Sequence, residues 1–220
     1  VSEDEEAFDV LERKKAHWSW SPVNDQKVPA VKNTQWSRSG LDRFVLAGLE
    51  EAGLDPNPDA SRRTLIKRAY YALTGLPPGI EEVEKFVADK SPGAFSALVD
   101  KLLKSPHFGE HWGQYWLDLV RFAETKGHEA DYPIPEAWRY RDYVIRSLNA
   151  DVPYDQLIRE HLAGDLLPTP RLNPDDQLNE SVIGTAHFRL IEHGYQPVDP
   201  WEDRVKWTDN QVDVVSKAFM

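Results

Sequence analysis

From Ser39 onward, apolar residues recur at intervals of three and four, and serine, glycine or proline separates one run from the next. That period puts side chains on one face of a helix rather than on alternate faces of a strand. Ser39 is placed to cap a run through Leu41, Phe44, Val45 and Leu49, which ends at Gly53. Ser61 is placed to cap a second through Leu65, Ile66, Ala69, Tyr70 and Leu73, with Gly75 beyond its end. Pro77-Pro78 breaks the chain before a short acidic helix through Val83, Phe86 and Val87. Ser91-Pro92 and Ser105-Pro106 repeat one start signal, a serine N-cap with proline at the first helical position. The second opens a helix over 106–124. Further helices are predicted over 136–149, 153–163, 175–188 and 200–219, and no stretch shows sustained strand alternation. The pattern predicts an all-α fold, a single multi-helix domain of eight or nine helices spanning 39–220.

Residues 1–38 read differently. An acidic-then-basic leader over 1–16 gives way to His17-Trp18-Ser19-Trp20-Ser21-Pro22, then Pro29 and Trp36, with few periodic apolar positions. Proline and its neighbours disfavour a helix here. The expectation is an extended strap over 17–38 whose tryptophans dock on the main body.

Composition narrows the function classes. The 220 residues are 40% hydrophobic and 29% charged, with eight tryptophans and a net charge of -11. This suits a folded soluble protein rather than a disordered one. The negative charge argues against a nucleic-acid footprint, which needs clustered Lys and Arg. It also disfavours anionic membrane surfaces. No apolar run approaches the roughly 20 residues of a membrane span, so membrane insertion is not expected. The acidic start at Ser2-Glu3-Asp4-Glu5-Glu6 is unlike a signal peptide. Zero cysteines rule out a disulfide, a thiolate metal site or a haem attachment within these residues.

Two constellations could carry chemistry. On the 106–124 helix, Trp112, Tyr115, Trp116, Leu119 and Ala123 share a face expected to be core. His107, His111, Gln114, Asp118 and Arg121 form the opposite stripe, where Asp118 and Arg121 are spaced to pair. His107-Phe108-Gly109-Glu110-His111 fits the H-x-x-E-H pattern of inverted zinc peptidases, making His107, Glu110 and His111 candidate metal residues. Gly109 interrupts that motif, and the sequence places no third ligand. The alternative is a solvated helix face. The second constellation is the helix exit, with Arg121, Glu124, Lys126, His128, Glu129 and Asp131, followed by Trp138, Arg139 and Arg141. Its carboxylates could hold a hard cation or serve as an acid/base pair. A loop held by Arg–carboxylate pairs explains the same residues structurally. His161 and His187, lone histidines near helix ends, read as capping or surface residues. The acids of Asp199-Pro200-Trp201-Glu202-Asp203 suit the positive end of the last helix.

A set of motifs runs in order along the chain. They are His17-Trp18, Asp42-Arg43-Phe44, Arg63-Thr64-Leu65-Ile66, Leu73-Thr74-Gly75-Leu76-Pro77-Pro78, Ser105-Pro106-His107-Phe108-Gly109-Glu110, Trp116-Leu117-Asp118, Tyr140-Arg141-Asp142 and Leu162-Ala163-Gly164-Asp165-Leu166-Leu167. Together they resemble the planctomycete cytochrome c-associated domain family, an uncharacterised helical domain of exported, haem c-linked multidomain proteins. The resemblance implies a periplasmic or otherwise exported module beside a haem c or redox domain of the same polypeptide. It also implies a C-x-x-C-H segment soon after Met220, so that haem c belongs to the full-length protein and no cofactor to this segment. The family position of His111 is often Arg, which lowers the zinc reading. The positions of Arg121, Glu124, Glu129 and Asp131 fall in the family motif, and with Trp138 and Arg141 they are the candidate ligand-binding residues. Two further readings stand beside this one. The first is a hydrolase or ligand-binding part of an enzyme acting on an external polymer such as a glycan, and the second is a purely structural interaction module.

Overall fold

The computed structural model describes residues 10–127, 131–190 and 199–219. Among them are ten α-helices: α1 Val10–Ala16, α2 Gly40–Glu51, α3 Arg62–Thr74, α4 Ile80–Ala88, α5 Ala94–Leu103, α6 Pro106–Leu119, α7 Trp138–Asn149, α8 Tyr154–Ala163, α9 Glu180–Gly184 and α10 Pro200–Phe219. Short 3-10 turns lie at Trp18–Trp20, Gly164–Leu166 and Thr185–Arg189. No strand forms among the described residues beyond two isolated bridges, Thr125 with Pro133 and Leu172 with Asn179. The class is all-α, with slightly more helices than the pattern suggests. The predicted 175–188 helix resolves into a turn, the five residues of α9 and a 3-10 turn. The start expected at Ser91-Pro92 falls at Ala94 after Gly93, which lends no side-chain cap.

The chain divides into two compact units, residues 1–59 and 60–220. In the first, two carboxylates of α2 hold the strap. Glu50 accepts from the backbone N–H of Lys32 at 2.9 and 3.0 Å and of Asn33 at 3.1 Å. Asp42 accepts from the N–H of Arg38 at 2.8 Å and Ser39 at 2.9 Å, while Ser39 Oγ caps the Asp42 N–H in return. This reciprocal capping box holds the Asp42 carboxyl below the usual carboxylate range, the Arg38 N–H being the main cause. Extended backbone lacks ladder partners of its own here, so its N–H groups turn to side chains. Of the strap's tryptophans, Trp36 is half-buried, whereas Trp18 and Trp20 are 80% and 63% exposed.

Among the described residues, the second unit has two apolar clusters. Ile66, Ala69 and Tyr70 of α3 pack with Phe86 of α4 and with Ala94 and Leu102 of α5. Val120, Ala137, Tyr140, Tyr143, Val144, Leu157, Leu190, Val214 and Ala218 form the other, drawn from the later helices. Helix α6 packs against both α3 and α7. Of the predicted face, Trp116 packs against that second cluster, while the closest approach to α7 is made by a different face. Gly109 and Gly113 are the buried residues of α6. Trp112, Tyr115 and Leu119 are 43%, 58% and 41% exposed, while Trp116 is half-buried. A Cβ on Gly109 would lie 2.4 Å from the Ile145 carbonyl oxygen and 2.7 Å from the Asn149 side chain. In its absence Asn149 Oδ1 accepts the Gly109 N–H at 2.8 Å, and Asn149 Nδ2 donates to the Pro106 carbonyl at 3.1 Å. The glycine that interrupts the H-x-x-E-H pattern is therefore the contact point of two helices.

Gly109→Ala is expected to destabilise the protein by about 1–3 kcal/mol, because backbone cannot yield as a flexible side chain would. Gly48→Ala in α2, where nothing lies within 4 Å of the added Cβ, is expected to stabilise by about 0.5–1 kcal/mol. Urea midpoints of the two variants check both, and equal effects would contradict this packing.

Candidate functional site

The 121–141 segment begins with an early helix stop. Val120 caps α6, Arg121 adopts φ 55°, and the Phe122 N–H returns to the Leu117 carbonyl at 2.8 Å while the Arg121 N–H returns to Asp118 at 3.1 Å. These are the two bonds of a Schellman motif, with arginine where glycine is usual. The predicted helix over 106–124 ends five residues early as a result. The chain then folds back on itself. Lys126 N–H donates to Tyr132 O at 2.9 Å and Ile134 N–H to Glu124 O at 2.8 Å. Gly127, at φ 66°, donates its N–H to Asp131 Oδ1 at 3.1 Å.

The candidate residues separate into distinct roles. Arg121 reaches α10, donating to Asn210 Oδ1 at 3.2 Å and pairing with Asp213. It makes no pair with Asp118. Glu124 and Arg141 meet across the loop, Nη1 to Oε1 at 3.0 Å, and Arg141 Nε also donates to Asp142 at 3.0 Å. Asp131 closes the Gly127 turn. Trp138 is 43% exposed, with the Arg139 guanidinium 4.8 Å from its ring centre, and Arg139 pairs with Glu136. Glu129 and His128 lie outside the described residues. Glu124 and Arg141 are both exposed, so their pair contributes at most ~1 kcal/mol.

The metal candidates do not converge. His107 Nδ1 lies 2.7 Å from Glu110 Oε2 on an exposed face. His111 packs edge-on against Trp112 and Tyr115, and its ring occupies the space that a Cβ on Gly75 would need. Among the described residues, no group of three or more His, Asp or Glu is arranged to hold a metal ion.

The densest polar chemistry lies where sequence reasoning did not look. His161 and His187, read as capping or surface residues, are 0% and 1% exposed. His161 Nδ1 donates to the Leu157 carbonyl at 2.8 Å, because a carbonyl can only accept. Its Nε2 is therefore the acceptor for Tyr140 Oη at 2.8 Å and for Trp116 Nε1 at 3.1 Å. Burial lowers the His161 pKa to about 4 and lowers that of His187 as well. His187 Nδ1 donates to Gly184 O at 3.0 Å, and its Nε2 has no hydrogen-bond partner among the described residues. Burial likewise raises the Tyr140 phenol.

Beside the histidines, Glu160 is fully buried and accepts five hydrogen bonds. They come from Tyr143 Oη at 2.7 Å, Gln156 at 3.1 Å, Ser181 Oγ at 3.0 Å, and Arg171 at 3.1 and 2.9 Å. Burial alone would raise its pKa; Arg171, Tyr143 and Gln156 together bring it below the usual value. Arg171 also donates to Ser147 Oγ at 2.8 Å. Glu180, 1% exposed, takes Arg146 at 3.0 Å and Asn173 at 2.9 Å on one oxygen. Its other oxygen faces Arg171 at 3.5 Å. One signal for this network was available: Leu157, Glu160 and His161 occupy i, i+3 and i+4 of α8, and Gly164 follows at i+7 as its C-cap, the spacing of a buried face. Every one of the network's ionised groups is met by its counter-charge. It holds structure together, whereas the Glu124–Arg141 and Glu136–Arg139 pairs of the 121–141 segment are exposed.

These features define a helical domain with a closed, ion-paired interior and an exposed, locally strained loop. Residues 40–220 match the family described as PSCyt2, protein of unknown function (DUF1549); the chain belongs to that family. No curated protein and no solved structure matches it.

The buried imidazole makes stability depend on pH. His161 binds fewer protons folded than unfolded between pH 6.5 and about 4. Its contribution is therefore complete above 6.5 and falls with decreasing pH, by about 3 kcal/mol across the window. Urea titrations at pH 7.5 and 4.5 are expected to show this loss, with His187 adding in the same direction. His161→Gln should flatten the dependence. A wild-type profile flat over that range would contradict the buried neutral tautomer.

Proposed function

We propose that this chain is an extracytoplasmic helical module that accompanies a haem c or other redox domain, and that the 121–141 loop is its surface toward that domain. The family name supports a cytochrome-associated domain. The chain has no cysteine, so a covalently attached haem would sit on residues other than these. Among the described residues, no helix is long and apolar enough to cross a membrane.

The observation that carries the loop assignment is where backbone strain collects. Of the five described non-glycine residues at positive φ, Arg121 (55°), Asp131 (32°) and Glu136 (64°) lie within this one segment. Each such conformation costs about 1–3 kcal/mol and persists where surrounding structure holds it, typically at recognition sites. The strain here presents Tyr132 and Trp138, 48% and 43% exposed, beside the Glu124–Arg141 and Glu136–Arg139 pairs. An exposed aromatic rimmed by ion pairs has the make-up of a protein-binding patch. In this reading Trp138 is the anchor, Glu124 and Arg141 set polar register, and Arg121 and Asp131 hold the loop's shape. Glu129 is assigned to the same surface by its place in the sequence.

Cross-linking of the full-length polypeptide tests the reading. Links are expected between 121–141 and the redox domain, and Trp138→Ala with Glu124→Gln should cut their yield about tenfold, the effect of losing one anchor residue. The thermal midpoint should stay nearly unchanged. Unchanged links with a lowered midpoint would make the loop a purely structural element.

A further inference from the structure

The first unit holds a groove of about 630 Å³ lined by Asn33, Gln35, Trp36, Arg38, Asp42 and the 55–59 segment. This volume lies within the range of small-ligand sites. Its walls are preformed. On one side, the Glu50 and Asp42 carboxylates pin the strap on either flank of Trp36, and Asn33 Oδ1 accepts the Trp36 N–H at 3.2 Å. On the other, Asp55-Pro56-Asn57-Pro58-Asp59 alternates polar side chains with prolines, whose fixed φ stiffens the wall.

Several of the polar groups along this groove are uncommitted. Among the described residues, the side chains of Gln35, Asp55 and Asn57 have no hydrogen-bond or ion-pair partner. Arg38 and Asp59 approach only to 3.6 Å, each more than four-fifths exposed. Polar side chains converging on a half-buried indole make a mixed surface, with a flat π face at one side and directional donors and acceptors around it.

We propose that this groove is a binding site for a neutral oligosaccharide, with one pyranose ring stacked on Trp36. The charge balance selects the ligand. Three aspartates against one arginine disfavour phosphate, sulfate or carboxylate. A simple cation would use the carboxylates but would leave the donors of Asn33, Gln35 and Asn57 without acceptors and meet Arg38 head-on. A sugar satisfies both kinds of group: each hydroxyl donates and accepts, adjacent hydroxyls match a carboxylate or amide, and the C–H face of the ring meets the indole. The groove lies within residues 33–59, so this assignment stands or falls independently of the 121–141 surface.

Isothermal titration of the intact chain with cellohexaose, mannohexaose and maltohexaose tests the site. Saturable binding of at least one is expected, with Kd on the order of 0.1–1 mM. Trp36→Ala should weaken it at least tenfold, and Asn57→Ala and Gln35→Ala each several-fold. Gln35 is exposed and unbonded, so its truncation keeps the test valid if Trp36→Ala fails to fold. Trp138→Ala should leave binding unchanged. Absence of saturable binding for all three sugars would overturn the proposal. So would binding indifferent to both Trp36→Ala and Gln35→Ala, or saturation by spermidine or calcium chloride without any sugar response.

Discussion

The second unit is organised around a carboxylate that has no contact with water. Ionised Glu160 can stay buried only if donors surround it, because an isolated buried charge costs far more than a domain's whole stability margin. Its donors come from four places: Tyr143 on α7, Gln156 on α8 itself, Arg171 on the connection, and Ser181 on α9. Satisfying them together leaves one register for these segments. Close approach is part of the same constraint. A Cβ on Gly164 would sit 1.8 Å from the Ser181 carbonyl oxygen, and one on Gly184 would sit 2.7 Å from that of Glu160 and 2.9 Å from Tyr143 Oη. The two glycines let α8 and α9 come near enough for short side chains to reach the carboxylate.

From there the constraint passes outward through α7. One face of α7 supplies Tyr140, Tyr143 and Ser147 to the buried network, and another receives Gly109 and Gly113 of α6. The end of α6 is thereby placed, and with it the turn at Arg121. That turn is tied to α10 through Asp213 and Asn210, and Phe122 stacks on Tyr140 at 6.1 Å. A loop with three strained residues needs such anchorage at both ends, and the start of α7 at Trp138 supplies the second. The interior network and the surface loop are consecutive parts of one support.

Helix class and most helix positions were legible because capping chemistry is local: Ser39, Ser61 and Ser105 accept the N–H groups expected of N-caps, and Gly75 takes the left-handed C-cap. What failed was non-local. The Trp112–Trp116 face has core spacing and Trp116 does reach the core, yet the close approach of α7 buries the glycine face and leaves Trp112 and Tyr115 exposed. The end of α6 was missed because arginine fills a glycine's place. His161 and His187 look like lone polar residues until Tyr140, Trp116 and Gly184 are brought to them by the fold. Of the candidate site, the Asp131 turn and the Glu124–Arg141 pair, which joins the loop to the first turn of α7, lie within one short stretch of chain, and proximity in sequence is close to proximity in space. Arg121 finds its partner 92 residues away, beyond the reach of spacing arguments.

The central claim is that Glu160 and Arg171 act as one unit in holding α7, α8 and α9 in register. A double-mutant cycle measures this directly, with Glu160→Ala, Arg171→Ala and the pair compared by urea denaturation at pH 7.5. Each single change should cost about 3–5 kcal/mol because it strands a buried charge, and the double change should cost at least about 2 kcal/mol less than the sum of the two. Losses that add within about 0.5 kcal/mol, as they do for independent sites, would contradict the account.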